Sequence, residues 1–319
     1  MVMNNYSSKD LAVVIPTYNR PEKVRDLLDS LAYQNEAVAR IIIIDGGESV
    51  EDVVETYANR LPIEYYFCNP PGQIRQRNFG IAMLETSTPL VASLDDDIVL
   101  EPDAIHCMID FWNRALDQPA AVAFNITNSP KHRYSRLKAL LNMSAKKEGY
   151  LLKSGYNTGF GNVNANIKIQ YVYGGASVWR LDILKKFSHR EIKSKWATCE
   201  DLIYSYPIGK LFPLYVCADA KVRHEHVFLN RKDPLVRYRG KNSLLWRLYF
   251  IETNTEFSAF LYLFQQAMIV LFRFVRGVLT CNFDEIKYAC GQAEGILMGI
   301  FIKLKHESIF TLIHEDSST

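Results

Sequence analysis

The chain lacks the cysteine patterns that staple or metallate a fold. Its six cysteines, at positions 68, 107, 199, 217, 281 and 290, form no CxxC pair and show no zinc spacing. That excludes a disulfide framework, and it leads us to expect reduced, buried thiols in a cytosolic protein. Nor is there an excess of basic charge. A formal net charge of +2 gives no electrostatic footprint for nucleic acid, so no nucleic-acid partner is expected. Met1 to Asp10 is polar and has no apolar h-region, so no secretory signal is expected. Internal repeats and low-complexity tracts are also missing. What is present is 319 residues, 48% hydrophobic and 23% charged, enough for one large domain or a domain plus an appendage.

Short apolar runs alternate with helical periodicity along the first third. Residues 11–16, Leu-Ala-Val-Val-Ile-Pro, predict a buried strand stopped by proline. Val24, Leu27, Leu28 and Leu31 predict a helix over 21–33, with Pro21 where a first turn tolerates it. Residues 40–45 predict a second strand ending in an acid. A helix at 50–60, a strand at 63–67, a helix at 74–85 and a strand at 90–95 follow. Such alternation implies a parallel sheet with helices on both faces, whose ligands sit beyond the carboxyl ends of the strands. From 121 to 170 the pattern weakens, and Gly155 to Asn166 reads as a mobile loop. Order returns at 171–185, with a helix or turn at 181–187 and a late strand at 214–224.

The sequence Ser93-Leu94-Asp95-Asp96-Asp97-Ile98-Val99 puts three carboxylates at the end of an apolar run. Three anions packed there are costly unless a cation receives them. A hard divalent ion held by one or two carboxylates, with room left for phosphate oxygens, fits that pattern. An acidic turn, or a helix cap ahead of Pro102, fits the same residues without a metal.

Six short motifs then occur in order over residues 11–226. They are Val13-Val14-Ile15-Pro16-Thr17-Tyr18-Asn19-Arg20, Ile44-Asp45-Gly46-Gly47, Arg75-Gln76-Arg77-Asn78-Phe79-Gly80, Leu94-Asp95-Asp96-Asp97, Gly174-Gly175-Ala176 with Arg180, and Cys199-Glu200-Asp201-Leu202. Together they resemble the inverting family 2 glycosyltransferases of GT-A fold. Gly46 stands where that family usually carries a second acid. The resemblance implies an α/β fold, a Rossmann-like mostly parallel sheet flanked by helices, with a C-terminal helical appendage. It implies a catalytic domain over 1–240, with a nucleotide-sugar half at about 1–100 and an acceptor half at about 101–240; the apolar stretches beyond it predict a helical, membrane-surface-binding tail over 241–319.

Residue roles follow from the same resemblance. Pro16, Thr17 and Tyr18 border the nucleotide. Asp45 accepts hydrogen bonds from base or ribose, or else caps the next element. Arg77, or Arg75 in its place, offers a planar fork to the diphosphate, and a surface ion pair is the other reading of either. Asn78 ties down its loop. Asp95 and Asp97 face the metal, Mn²⁺ or Mg²⁺, with Asp96 on the sugar or in a turn. His224 is the further metal or phosphate ligand, with His226 as the alternative; that both are ordinary polar residues at a strand end is the other reading. Gly174 and Gly175 form the acceptor-side turn. Asp201 is the expected general base, and Glu200 beside it raises its basicity or binds the acceptor. Both acids also suit the first turn of a helix.

Past residue 221 the composition shifts. Eight Lys and Arg against two acids lie between Lys221 and Arg247. An almost wholly apolar stretch over 257–279 follows, interrupted by Gln265, Gln266, Arg273 and Arg276, and a second runs from Ala293 to Leu304. Those interruptions disfavour a spanning helix and suit one lying in a headgroup layer, so peripheral membrane contact through 257–304 is expected. A buried helix packed on the catalytic domain is the alternative. The reading is thus an inverting, metal-dependent glycosyltransferase, cytoplasmic and peripheral to the inner membrane. It would move a sugar from a nucleoside-diphosphate sugar to a glycan or lipid-linked acceptor in surface-polysaccharide or glycolipid assembly. Two rivals are a sugar-1-phosphate nucleotidyltransferase and a catalytically inactive nucleotide-binding scaffold. The first would want a Gly-x-Gly-x-Arg loop after strand one, where this chain has Pro16-Thr17-Tyr18-Asn19-Arg20.

Overall fold

The computed structural model describes residues 5–192, 194, 198–225 and 234–314. The described chain divides into two compact units. The first comprises 1–131, 160–191 and 204–226, and the second 132–159, 192–203 and 227–319.

The first unit is built on a nine-stranded sheet. It opens with β1 (Leu11–Thr17), α1 (Pro21–Ala32), β2 (Arg40–Asp45), α2 (Glu51–Glu55), β3 (Ile63–Phe67), α3 (Gln73–Ala82) and β4 (Leu90–Leu94). Then come β5 (Ile98–Leu100), α4 (Ala104–Arg114) and β6 (Ala121–Ile126); after α5 (Arg136–Leu140), which belongs to the second unit, follow β7 (Ile167–Ile169), β8 (Ala176–Arg180) and α6 (Leu181–Lys186). The last strand is β9 (Leu214–His224). The order is β3-β2-β1-β4-β8-β6-β9-β5, with β7 on β9. β3, β2, β1 and β4 are all parallel, whereas β8 is antiparallel to both β4 and β6. Every residue of β1 and β4 is buried, because helices and loops cover both faces; the strands therefore read as unbroken apolar runs. Pro16 lies past the last β1–β4 pair, Val14 opposite Ser93, so its missing N–H breaks no ladder bond on that side. Leu27, Leu28 and Leu31 of α1 and Ile105, Met108 and Trp112 of α4 share one core with these strands.

Parallel pairing aligns the strand ends. Thr17 stands opposite Asp45, and β4 runs out directly into Asp95. The common carboxyl edge expected from the alternating pattern is therefore formed.

Several elements differ from the sequence reading. The helix expected over 50–60 is only Glu51–Glu55, followed by turns. β6 and α4 occupy stretches the reading left unassigned. All six residues of β6 are buried, so the strand has no polar alternation to betray it. Residues 150–158 are tied by Leu152 N–H to Tyr156 O and Thr158 N–H to Tyr150 O, a turn of defined geometry. No disulfide joins the six cysteines, but Cys281 and Cys290 are exposed, correcting the expectation that all are buried.

The second unit holds α5 (Arg136–Leu140) and the first turn of α7 (Glu200–Gly209). It continues with α8 (Val236–Glu252), α9 (Ala259–Leu279), α10 (Phe283–Leu304) and α11 (Phe310–Ile313). α8 and α10 pack through glycines. A Cβ at Gly240 would lie 2.3 Å from the Tyr288 carbonyl oxygen, and one at Gly291 would lie 1.9 Å from that of Arg237.

Candidate active site

The site begins with two loops locked at the ends of β1 and β2. Gln76, buried in α3, donates both amide hydrogens to backbone carbonyls, Thr17 O at 2.8 Å and Ile44 O at 2.7 Å. One side chain thereby fixes two strand ends. Asp45 is wholly buried and fixes the loop after β2. Its Oδ1 accepts from Gly47 N–H at 2.9 Å, and its Oδ2 accepts from Val50 N–H at 3.1 Å and Tyr65 O–H at 2.9 Å. Asn19, at φ 54°, closes the other loop and accepts from Glu48 N–H at 2.6 Å. Gly47 is required there: an added Cβ would lie 2.0 Å from Asn19 Oδ1.

Against this frame sits the acidic triplet, in the turn between β4 and β5. Asp96 points inward. It accepts from Thr17 Oγ1 at 2.8 Å and from the Arg20 guanidinium at 3.0 Å. Burial pushes its carboxyl up to about 6, against the opposing pull of Thr17 and Arg20. Asp95 is held by Arg77, itself buried, and by Gln73 Nε2 at 3.0 Å. Asp97 contacts His224 Nε2 at 2.9 Å and Arg20 at 3.4 Å. β5 pairs with the end of β9 with Ile98 opposite His224, and this register delivers the histidine to the triplet. Burial opposes protonation of His224, but the hydrogen bond and charge of Asp97, with Asp95 behind it, leave its pKa raised.

One ligand atom from each of Asp95, Asp97 and His224 falls within 4.8 Å of the other two. Oxygen ligands sit about 2.0–2.6 Å from a hard cation, so ligands of one ion lie no farther apart than about twice that. Two carboxylates and an imidazole are also a chemically reasonable set for a divalent ion. Gly175 makes the room. It accepts the Asp95 N–H at its carbonyl at 2.9 Å, and a Cβ there would lie 2.0 Å from Asp95 Oδ2.

Other expected residues fall as follows. Pro16 is buried in β1 and Tyr18 is exposed beside it. Arg75 forms a two-pronged ion pair with Glu191 and donates to Pro70 O at 3.2 Å. Asn78 donates to His189 O at 2.8 Å and so ties down its loop. Gly174 precedes Gly175 in the turn before β8. Glu200 and Asp201 open α7, where Asp201 Oδ1 accepts from Leu202 N–H at 2.8 Å, in the second unit. His226 lies outside the described residues. The sequence reading missed Arg20 and Gln76. Arg20 had a signal, because it ends the same strand-one motif as Thr17. Gln76 lies between Arg75 and Arg77 in a motif of its own, but a glutamine in a helix reads as surface, so its residue type did not point to the strand ends.

The Glycosyl transferase family 2 profile matches residues 12–187. Two curated relatives are the validoxylamine A glucosyltransferases of Streptomyces hygroscopicus subsp. jinggangensis (strain 5008) and subsp. limoneus. Each is 35% identical over 104 residues, 31% of this chain, and the chain spans only 24% and 23% of their lengths. Among solved structures, TarS 1–349 of S. aureus is similar at a TM-score of 0.56 and 14% identity, over 93% of this chain and 83% of that one. The mannosyltransferase PcManGT of Pyrobaculum calidifontis, in complex with GDP-Man and Mn²⁺, is similar at 0.56 and 11% identity, over 94% and 88%. At these identities the likeness is one of fold, and both folds are those of GT-A glycosyltransferases.

Proposed function

The chain belongs to glycosyl transferase family 2, and on that premise we propose that it transfers a sugar, with inversion, from a nucleoside-diphosphate sugar to a hydroxyl acceptor. The observation that carries this reading is the convergence of Asp95, Asp97 and His224 at the carboxyl edge of the parallel strands, beside Arg77 and Arg20. The mannosyltransferase of similar fold was solved with GDP-Man and Mn²⁺, which supports a nucleotide-sugar donor and such an ion.

Asp95, Asp97 and His224 would hold Mn²⁺ or Mg²⁺. When bound, that ion neutralises the leaving diphosphate as a Lewis acid. Asp96 does not share this duty: its oxygens hold Thr17 and Arg20, so it anchors the turn that presents its neighbours. Thr17 and Tyr18, at the end of β1, border the nucleotide, and Asp45 keeps the adjacent loop in shape. Asp201 takes the acceptor hydroxyl proton as that oxygen attacks the anomeric carbon. The bond from that carbon to the phosphate oxygen breaks on the opposite face. Gly174 and Gly175 border the acceptor, a glycan or a lipid-linked sugar.

Labelled nucleotide sugars, offered with Mn²⁺ or Mg²⁺ and candidate acceptors, test the reading. Metal-dependent release of nucleoside diphosphate is expected. Pyrophosphate release would identify a nucleotidyltransferase, and no product from any donor would identify an inactive fold. In the same assay Asp201→Asn should leave donor affinity intact and cut turnover by about 10²–10⁴-fold. Near-normal turnover in that variant would place the base elsewhere.

A further inference from the structure

α9 is built inside out for a helix in water. Its buried side chains include Gln265 and Gln266, while Phe260, Phe264, Leu271, Phe272 and Leu279 are more than half exposed. The two glutamines find their partners inside the second unit. Gln265 Nε2 donates to Leu141 O at 3.2 Å and Asn142 O at 2.9 Å, and Gln266 Oε1 accepts from Gln292 Nε2 at 3.2 Å. The arginines that interrupt the apolar run are also engaged within this unit. Arg273 lies over the Tyr288 ring at 4.7 Å, and Arg276 pairs with Glu285. Gln265, Gln266 and Arg273 therefore do not break the exposed face, whereas Arg276 is half exposed and lies over the Phe272 ring at 5.8 Å, a cation set among the apolar side chains. Its most apolar window has mean hydropathy 1.3 and is 17% buried. α10 adds exposed Leu297, Phe301 and Leu304. An apolar surface this continuous marks a contact, since leaving it in water carries a steep hydration cost.

Charge identifies the partner. The ranges of the second unit contain 19 Lys and Arg against 12 Asp and Glu, a net +7, in a chain whose total is +2. The segment 132–159 alone has six basic residues and one acid. Within it, α5 (Arg-Leu-Lys-Ala-Leu) exposes Leu137 and Leu140 beside exposed Arg136 and Lys138. The Gln265 bonds to Leu141 and Asn142 set the end of α5 next to α9. Exposed aliphatic and aromatic side chains interleaved with cations match an acyl-chain and headgroup boundary of negative charge. The same excess of positive charge disfavours a second copy of this unit. α9 is fastened by its glutamines to its own unit along one side, a geometry that suits lying on a bilayer better than crossing it.

We propose that α9, with the exposed edges of α10 and α5, is a docking face for an anionic lipid surface. Flotation of the full chain with vesicles tests this, using phosphatidylcholine alone and phosphatidylcholine mixed with phosphatidylglycerol. The wild type should float with the mixed vesicles and not with the neutral ones, and added salt should weaken the association. Leu271→Glu with Val275→Glu should reduce flotation about ten-fold or more. Leu211→Glu, an exposed leucine of the first unit, should change nothing. Circular dichroism and melting of each variant report whether it folds. If the α9 pair fails to fold, Arg136→Glu with Lys138→Glu gives an independent reading, and should weaken binding to the mixed vesicles. Absence of wild-type flotation, or flotation indifferent to both paired variants, would overturn the proposal. So would light scattering that shows a lipid-free oligomer broken by the α9 pair, which would make the face a self-association surface. Resistance of the membrane-bound protein to alkaline carbonate would make α9 a spanning helix and overturn it as well.

Discussion

At Gly175 a single added carbon would fall 2.0 Å from Asp95 Oδ2, the outer oxygen of a candidate ligand. The clash is with the end of a side chain, so the backbone can survive it while Asp95 moves. Gly175→Ala should therefore weaken Mn²⁺-dependent donor binding by about ten-fold while leaving the melting temperature nearly unchanged. Calorimetric titration of the donor with and without Mn²⁺ measures this, and an unaltered affinity would show that Asp95 does not act where it stands. At the same scale, the sequence left two readings open for Asp45 and two for Arg75. In the structure Asp45 accepts hydrogen bonds from its own loop and Arg75 pairs with Glu191. Arg77 differs: the helix turns it toward the triplet instead of toward solvent. A difference of two positions along α3 rotates a side chain by about 200°, which no reading of residue type alone supplies.

Among the elements, α8 and α10 make the most demanding contact. Glycine inside a helix ordinarily weakens it by about 1 kcal/mol relative to alanine, so replacing one should stabilise. Gly291 should reverse that sign. Its Cβ would lie 1.9 Å from the Arg237 carbonyl oxygen, and backbone cannot step aside as a side chain can. Gly291→Ala is expected to destabilise the chain by about 1–3 kcal/mol and lower its melting temperature by several degrees, read by calorimetry. A higher melting temperature would mean that the two helices are not this close. Element type was legible where the pattern was long: α1, β1, β2 and β4 form within a residue or two of the sequence reading. It was not legible for β6, which is buried on both faces and short, nor for the second half of the 50–60 stretch. There Tyr57 turns its hydroxyl to Asp29 and the chain leaves the helix after Glu55.

For the molecule as a whole, the candidate cation and the donor should act together. A donor that binds only the folded chain stabilises it by about 2.7 kcal/mol at a hundred times its Kd. If an ion held by Asp95, Asp97 and His224 helps to hold the diphosphate, that rise should appear with donor plus Mn²⁺ and largely vanish with chelator. Thermal shift across a panel of nucleotide sugars checks this and narrows the donor. Equal stabilisation by donor in the presence of chelator would remove the metal from the binding step. The sequence by itself determined the strand–helix alternation, the acidic triplet, the order of the motifs and the apolar character of the C-terminal stretches. These are local, carried by residue type and by spacing over a few turns. Tertiary structure alone decided that His224 meets Asp97 across 127 positions of chain, that Gln76 locks two strand ends, and that Gln265 and Gln266 turn inward while the phenylalanines of α9 face out. Sheet register and helix rotation set those outcomes. Both are fixed by which partners the folded chain supplies, and no short window of sequence contains the partner.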